Sequence, residues 1–255
     1  MLMSIIRPDE GQVSVLGGDA LQHKDQIGYL PEERGLYQRM TVMRFLSYMA
    51  RLKGASHTDL PRHIQQWLER VELPDVAQMR CEDLSKGMQQ KIQFVACVIH
   101  EPQLVVLDEP FSGLDPVSSD VLRAQIAHLK QEGRTILFST HVLPQAEQIC
   151  ERFVMIHRGR KLLDATLAEI HAQFDPRTLE VEYLDDTDPT GFSGVAEAKP
   201  LPRGGFELTL NAGEDAQQAM AELLRAGPAQ RVEQRRVTLE EVFRQLVTMN
   251  SGEEE

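Results

Sequence analysis

The stretch Leu104 to Pro110 reads LVVLDEP: four apolar residues run straight into an acidic pair and a proline. An unbroken apolar run of this kind is the pattern of a parallel strand covered on both faces. The two charges then fall at its carboxyl end, the edge at which layered α/β sheets bind their ligands. A first carboxylate there, Asp108, can hold a magnesium-bound water, and the next, Glu109, can orient an attacking water. A strand that simply finishes in a solvated acidic turn reads the same way, so the pair alone leaves both interpretations open.

The neighbouring sequence narrows the choice. Ser112-Gly113-Leu114-Asp115-Pro116 follows at once, and a second apolar strand, Thr135 to Phe138, ends in Ser139-Thr140-His141. A single histidine after a strand is commonly structural; two parallel strands whose carboxyl ends both carry reactive groups is a rarer arrangement. Upstream, Leu84-Ser85-Lys86-Gly87-Met88 opens a helix. Ser85 reads as its N-cap, and Gly87 lets backbone N–H groups at the positive helix end approach an anion. Ordinary capping explains the same residues, and the pattern gains its force from standing ahead of LVVLDEP.

Period and punctuation set out the rest of the chain. Gln12 to Leu16 and Gln26 to Leu30 alternate as short strands. From Thr41 the apolar residues Val42, Phe45, Leu46, Met49 and Leu52 recur at the helical period. A second helix carries Ile64, Trp67, Leu68 and Val71 and stops before Pro74, and a third runs from near Ser85 to before Pro102. Residues 35 to 100 therefore predict an all-helical insertion. Strand and helix alternate again through Ser118 to Gln131, Thr135 to Phe138, Pro144 to Glu151, and strands at 152–156 and 161–163. This order predicts an α/β fold with a parallel sheet layered with helices. Beyond Asp175, strands at Thr178 to Leu184, Phe206 to Leu210 and Arg231 to Val237, with helices at Glu214 to Ala226 and Leu239 to Val247, predict a small C-terminal α+β appendage. The expected domains are 1–172 and 175–250, with Asp185 to Gly205 as a polar loop.

Composition excludes several classes. Lys and Arg number 27 against 39 Asp and Glu, so the net charge of −12 argues against a broad grip on nucleic acid. Cys81, Cys97 and Cys150 are widely spaced and form no C-x-x-C, which fits a reducing cytosol rather than a disulfide framework or zinc site. No apolar run approaches the ~20 residues that span a bilayer, and the start is too short for a signal peptide. A membrane role would have to be exercised through a separate polypeptide. Glu253-Glu254-Glu255 reads as a solvated acidic tail.

These residues together form a recognisable constellation. The chain resembles the ATP-binding subunits of ABC transporters: Leu84 to Met88 matches the signature motif, Leu104 to Pro110 the Walker B strand, Ser112 to Asp115 the D-loop and His141 the switch histidine. Tyr29 to Tyr37 (YLPEERGLY) and Thr238 to Phe243 (TLEEVF) look like the branch serving bacterial sodium- or drug-type exporters. The resemblance implies ATP and Mg2+ as ligands. Asp108 would hold the metal through water, Glu109 would be the general base, and His141 would contact the γ-phosphate. Ser85 and Gly87 would bind the γ-phosphate of ATP held by a second cassette, in a homo- or heterodimer, and Asp115 would communicate across that face. The helical block would dock on a transmembrane subunit at the cytoplasmic face of the membrane.

Departures from the pattern carry their own expectations. Glu32 stands where the family has a glutamine that reaches the metal or its water, and Met88 replaces a glutamine of the signature. No segment reads G-x-x-x-x-G-K-[ST], the phosphate-cradling loop. Met1 to Gly11 resembles the tail of the helix that follows that loop. The expectation is therefore a cassette shortened at its amino end, by a mis-called start or by truncation, with weakened nucleotide binding and an uncovered sheet edge. Two alternatives stay open: a non-catalytic cassette that lends Ser85 and Gly87 to a partner, and a soluble ABC-type ATPase.

Overall fold

The structure is a computed structural model that describes residues 2–33, 35–55, 58–174 and 177–251. The chain divides into two compact units, Met1–Val142 and Leu143–Glu255. The expected solvation of Glu253 to Glu255, and Arg34 of the YLPEERGLY stretch, lie outside the described residues.

The first unit runs β1 (Ile27–Leu30), α1 (Val42–Leu52), α2 (Leu60–Arg70), α3 (Lys86–Val98), β2 (Leu104–Asp108), α4 (Pro116–Gln131) and β3 (Thr135–Ser139). The strands form a parallel sheet in the order β1-β2-β3, with Leu30, Leu107 and Phe138 in one row. Each helix begins where a short polar side chain can take up an orphan N–H. Thr41 Oγ1 accepts from Arg44 N, Asp59 Oδ1 from Arg62 N and Ser85 Oγ from Met88 N. The apolar stripes then face inward: Val42, Phe45, Leu46 and Ala50 of α1, Ile64, Trp67 and Leu68 of α2, and Leu122, Ile126 and Leu129 of α4 are buried. Each large side chain removed from water contributes about 1.5–3 kcal/mol. Helix and strand come very close at Gly28 of β1, where a Cβ would stand 2.3 Å from the Cys97 carbonyl oxygen of α3.

The second unit begins with α5 (Leu143–Ile149) and the antiparallel hairpin β4 (Arg152–His157) and β5 (Arg160–Thr166), followed by α6 (Leu167–Phe174). Then come β6 (Thr178–Tyr183), β7 (Val195–Pro200), β8 (Phe206–Leu210), α7 (Ala216–Ala226), β9 (Ala229–Gln234) and α8 (Leu239–Ser251). The last four strands make an antiparallel sheet in the order β7-β8-β6-β9. Leu179, Val181, Leu208 and Leu210 pack with Leu223 of α7 as its core. The T-L-E-E stretch forms a reciprocal cap at the head of α8: Thr238 N donates to Glu241 Oε2 at 3.0 Å and Glu241 N to Thr238 Oγ1 at 3.3 Å.

Several sequence expectations need correction. Gln12 to Leu16 is not a strand. Leu16 and Gly17 adopt φ of 53° and 82°, and Val15 and Gly18 bond across the resulting tight turn. Residues 2–11 form turns and bends rather than the tail of a helix, with Ser4 at φ 54° interrupting any helical path. The span Asp185 to Gly205 is not all loop, because it contains β7, an edge strand that ends on Pro200 where no ladder N–H is needed. The apolar strands are also less covered than expected. Burial alternates along β2, and Leu137 of β3 is 43% exposed, because β3 bonds only β2 among the described residues.

Candidate functional site

Parallel register gathers the candidate groups at one edge of the first unit. Glu32, Glu109 and Thr140 each lie two residues beyond the row Leu30–Leu107–Phe138. Three apolar strands that run in the same direction therefore release their polar residues side by side.

Asp108 closes β2 and pairs in register with Ser139 of β3. The Ser139 hydroxyl donates to Asp108 Oδ1 at 2.5 Å. The Tyr29 phenol on β1 is pushed above its ordinary pKa, by burial first and by the charge of Asp108 second, so the field of Asp108 extends to the first strand. Glu109 turns the chain sharply. Its φ of 46° lies in the left-handed region that suits glycine, an arrangement that costs about 1–3 kcal/mol. Hydrogen bonds hold the turn from both sides: Glu109 N donates to Ser139 O at 3.1 Å, and Ser112 N donates to Glu109 O at 3.0 Å.

That turn aims the Glu109 side chain at the end of β3. Its Oε1 accepts from the His141 backbone N–H and from ring Nδ1, both at 2.7 Å, and Oε2 accepts from the Thr140 hydroxyl at 3.2 Å. A carboxylate offers about four acceptor positions. With three in use, one remains for a water. Nδ1 is the ring donor to this carboxylate, on a side chain that is 79% exposed while Glu109 is 14% exposed.

The signature-like residues occupy a second cluster. Ser85 caps α3, and Asp115 caps α4 by accepting from Ser118 N at 3.0 Å and from its hydroxyl at 2.8 Å. These two donors hold the Asp115 carboxyl below the usual carboxylate range. A Cβ on Gly87 would meet only Leu114 at 3.6 Å and Ser118 at 3.8 Å, ordinary contact distances. Packing within the chain thus does not require glycine there. Among the described residues, neither Ser85 nor Asp115 bonds Asp108, Glu109 or His141. Glu32 is exposed on the loop after β1.

Magnesium keeps several waters and takes one or two carboxylates beside substrate phosphates rather than a full protein cage. No group of three or more metal-capable side chains occurs among the described residues. Asp108 nevertheless fits such a one-carboxylate site, because only one of its oxygens is engaged, by Ser139.

Residues missed by sequence reasoning sit on α3. Gln90 and Gln93 are 2% and 6% exposed on a helix whose neighbours Ile92, Phe94 and Val95 are fully buried. Gln90 Nε2 donates to Pro110 O at 3.1 Å, and Gln93 Nε2 donates to Pro31 O at 3.3 Å and Glu33 O at 3.1 Å. The available signal was slight, since Gln90 and Gln93 stand beside Gln89 and Lys91 in the polar first half of the helix. Thr140 and Ser139 were noticed only as part of the run leading to His141.

Comparison with known proteins agrees with this geometry. Residues 1–112 match the family described as ABC transporter, and residues 166–247 match the family described as ATP-binding protein DrrA1-3-like, C-terminal domain. An uncharacterised ABC transporter ATP-binding protein of Alkalihalophilus pseudofirmus is 36% identical over 252 residues, spanning 95% of this chain and 91% of that one. The uncharacterised ABC transporter ATP-binding protein YhaQ of Bacillus subtilis is 41% identical over 187 residues, 73% of this chain and 63% of that one. A solved structure described as the ATP-binding subunit of an ABC transporter superposes with a TM-score of 0.63 at 33% identity, covering 68% of this chain and 74% of that one.

Proposed function

The chain belongs to the ABC transporter ATP-binding proteins, and we propose that it couples ATP hydrolysis to export of a substrate through a separate membrane subunit, with its own grip on the nucleotide weakened because no segment reads G-x-x-x-x-G-K-[ST]. The observation that carries this reading is the Glu109–His141 contact beside Asp108, at the carboxyl end of two parallel strands. Bound magnesium would neutralise charge on the phosphates. Asp108 would hold it through water, with Glu32 as a second carboxylate from the neighbouring loop. Glu109 would use its remaining acceptor position to orient and deprotonate the attacking water. His141, swung from Glu109, would present its ring to the γ-phosphate.

Ser85 and Gly87 would serve the ATP of a second cassette, homo- or heterodimeric, with Asp115 on the same face. The amino end of α3 at Gly87 supports this, since backbone N–H groups there suit an anion. Docking to the membrane subunit would use the helical block. Its surface carries Tyr37, Tyr48 and Leu52, which are 50%, 42% and 62% exposed, with the two tyrosine rings 5.6 Å apart. No helix among the described residues is long and apolar enough to cross a membrane; the separate membrane partner and the place at the cytoplasmic face rest on the family. The exporter branch rests on the likeness of the YLPEERGLY and TLEEVF stretches.

The test is ATP hydrolysis by the chain assembled with its membrane subunit and second cassette. Loss of turnover in Glu109→Gln with retained nucleotide binding supports the proposal. Turnover that survives Glu109→Gln but is lost in Ser85→Ala would make this chain a non-catalytic cassette that lends its signature face to a partner. Turnover with no membrane subunit, unaltered when one is added, would favour a soluble ATPase.

A further inference from the structure

The α3 helix does more than present Ser85 and Gly87 at its head. Its buried amides reach two loops that are remote in sequence, and both loops carry candidate site residues. Gln93 grips the segment around Glu32 from either side, through the carbonyls of Pro31 and Glu33. One turn nearer the helix start, Gln90 holds the carbonyl of Pro110, the residue after Glu109. The helix rise places Gln93 about 12 Å along the axis from the Ser85 cap. One rigid element therefore meets the signature residues, the Glu109 turn and the Glu32 loop.

Packing alone does not account for Gln93. Both partners of its Nε2 are carbonyls, which fixes which end of the amide carries the hydrogens. The other end, Oε1, is buried with no hydrogen-bond partner among the described residues. An unsatisfied buried acceptor costs about 1–3 kcal/mol. An apolar side chain of the same shape would avoid that cost. What Gln93 supplies, and methionine would not, is the two-pronged donor to the backbone on which Glu32 stands.

We propose that Gln93 is a positioning residue that fixes the backbone on which the Glu32 carboxylate stands. This rests on the reading of Glu32 as a metal- or nucleotide-facing group. Glu32 is itself exposed, so its place is determined by the backbone beneath it rather than by side-chain packing. Releasing Pro31 and Glu33 lets the carboxylate drift while leaving the helical core intact.

The test compares Gln93→Met, which keeps the shape and removes the donor, with Gln93→Asn, which keeps the amide but falls short of the loop. In the chain alone, the NMR order parameters of the Glu32 and Glu33 amides are expected to fall from the rigid range of about 0.85 towards about 0.6 in both variants. Amides of α1 and α2, and the emission of Trp67 packed on Phe94, stay unchanged. Unchanged order parameters at Glu32 and Glu33 in either folded variant overturn the proposal. In the assembled transporter, Gln93→Met is expected to raise KM for Mg2+-ATP about five- to tenfold with kcat within about twofold. In a Glu32→Ala background the same substitution then adds nothing. Effects that multiply instead of merging overturn it, because Gln93 would then act elsewhere than through Glu32. An assembled wild type that hydrolyses no ATP counts against the proposed function, and the order parameters still decide whether Gln93 grips the loop.

Discussion

Glu109 Oε1 is shared by two donors from one residue, the backbone N–H and the ring Nδ1 of His141, each at 2.7 Å. The backbone bond anchors the carboxylate to the end of β3, whereas the ring bond breaks by rotation of an exposed side chain. On the proposed function, Glu109 would stay in place while His141 leaves for a phosphate and frees an acceptor position for water. Removing the base should be far more damaging than removing its partner. Glu109→Gln in the assembled transporter is expected to lower kcat by about 10²–10⁴-fold with nucleotide affinity nearly unchanged. His141→Ala should show a smaller loss. Steady-state hydrolysis and nucleotide binding, measured side by side, separate the two.

Thr140 holds the other oxygen of the same carboxylate and also accepts from Val142 N at 3.0 Å. Thr140→Val keeps the shape of the side chain and removes the hydroxyl. The loss of one net hydrogen bond, about 1 kcal/mol, predicts a roughly fivefold drop in kcat without unfolding. A rate equal to that of the wild type would show that His141 alone suffices to orient Glu109.

How far the sequence shows this site depends on how local each cause is. Thr41 and Ser85 read correctly as caps because capping involves residues three apart, and the apolar period of α1 carries Val42, Phe45 and Leu46 into the core but leaves Leu52, the last of the stripe, 62% exposed. The convergence of Asp108 and His141 follows from two parallel strands in register, which the alternation of elements already implies. The grip of Gln93 on Pro31 spans 62 residues, and no local pattern encodes it. Exposure of Leu137 was equally hidden, since an apolar run states what a strand can bury but not what covers it. The turn at Leu16–Gly17 defeated an alternating pattern because the backbone conformation of two residues outweighed it.

Gly28 sits where β1 meets α3, and a side chain there would collide with backbone. The Cys97 carbonyl oxygen would lie 2.3 Å from the new Cβ, Pro102 at 3.0 Å and Cys97 Sγ at 3.1 Å. Neither the strand nor the helix can yield cheaply, since β1 carries Tyr29 and leads to the Glu32 loop. Gly28→Ala is expected to cost about 3 kcal/mol, at the upper end for overpacking. That lowers the melting temperature of the first unit by roughly 6–12 °C. Calorimetry of the whole chain would show one transition moved and the other fixed.

His100 makes the stability of the first unit sensitive to acid. Its Nε2 donates to the Ile27 carbonyl at 3.4 Å, and Lys53 Nζ donates to the same oxygen at 3.1 Å. Ring Nδ1 is buried with no hydrogen-bond partner among the described residues. Protonation would put a second charge beside Lys53 with nothing to accept it. Burial first, and Lys53 second, lower the pKa from 6.5 to about 4, against smaller opposing effects of the Ile27 bond and Asp25. Between those values the unfolded chain binds the extra proton and the folded chain does not, so stability rises with pH across the window. It is fully present above about pH 6.5 and is lost as pH falls towards 4. His100→Gln keeps an N–H for Ile27 but cannot titrate. Denaturant unfolding of both proteins from pH 7 to pH 4 should show the wild type losing on the order of 2 kcal/mol relative to the variant, after allowance for partial solvent screening. Parallel curves would mean that His100 takes up its proton without leaving the folded state.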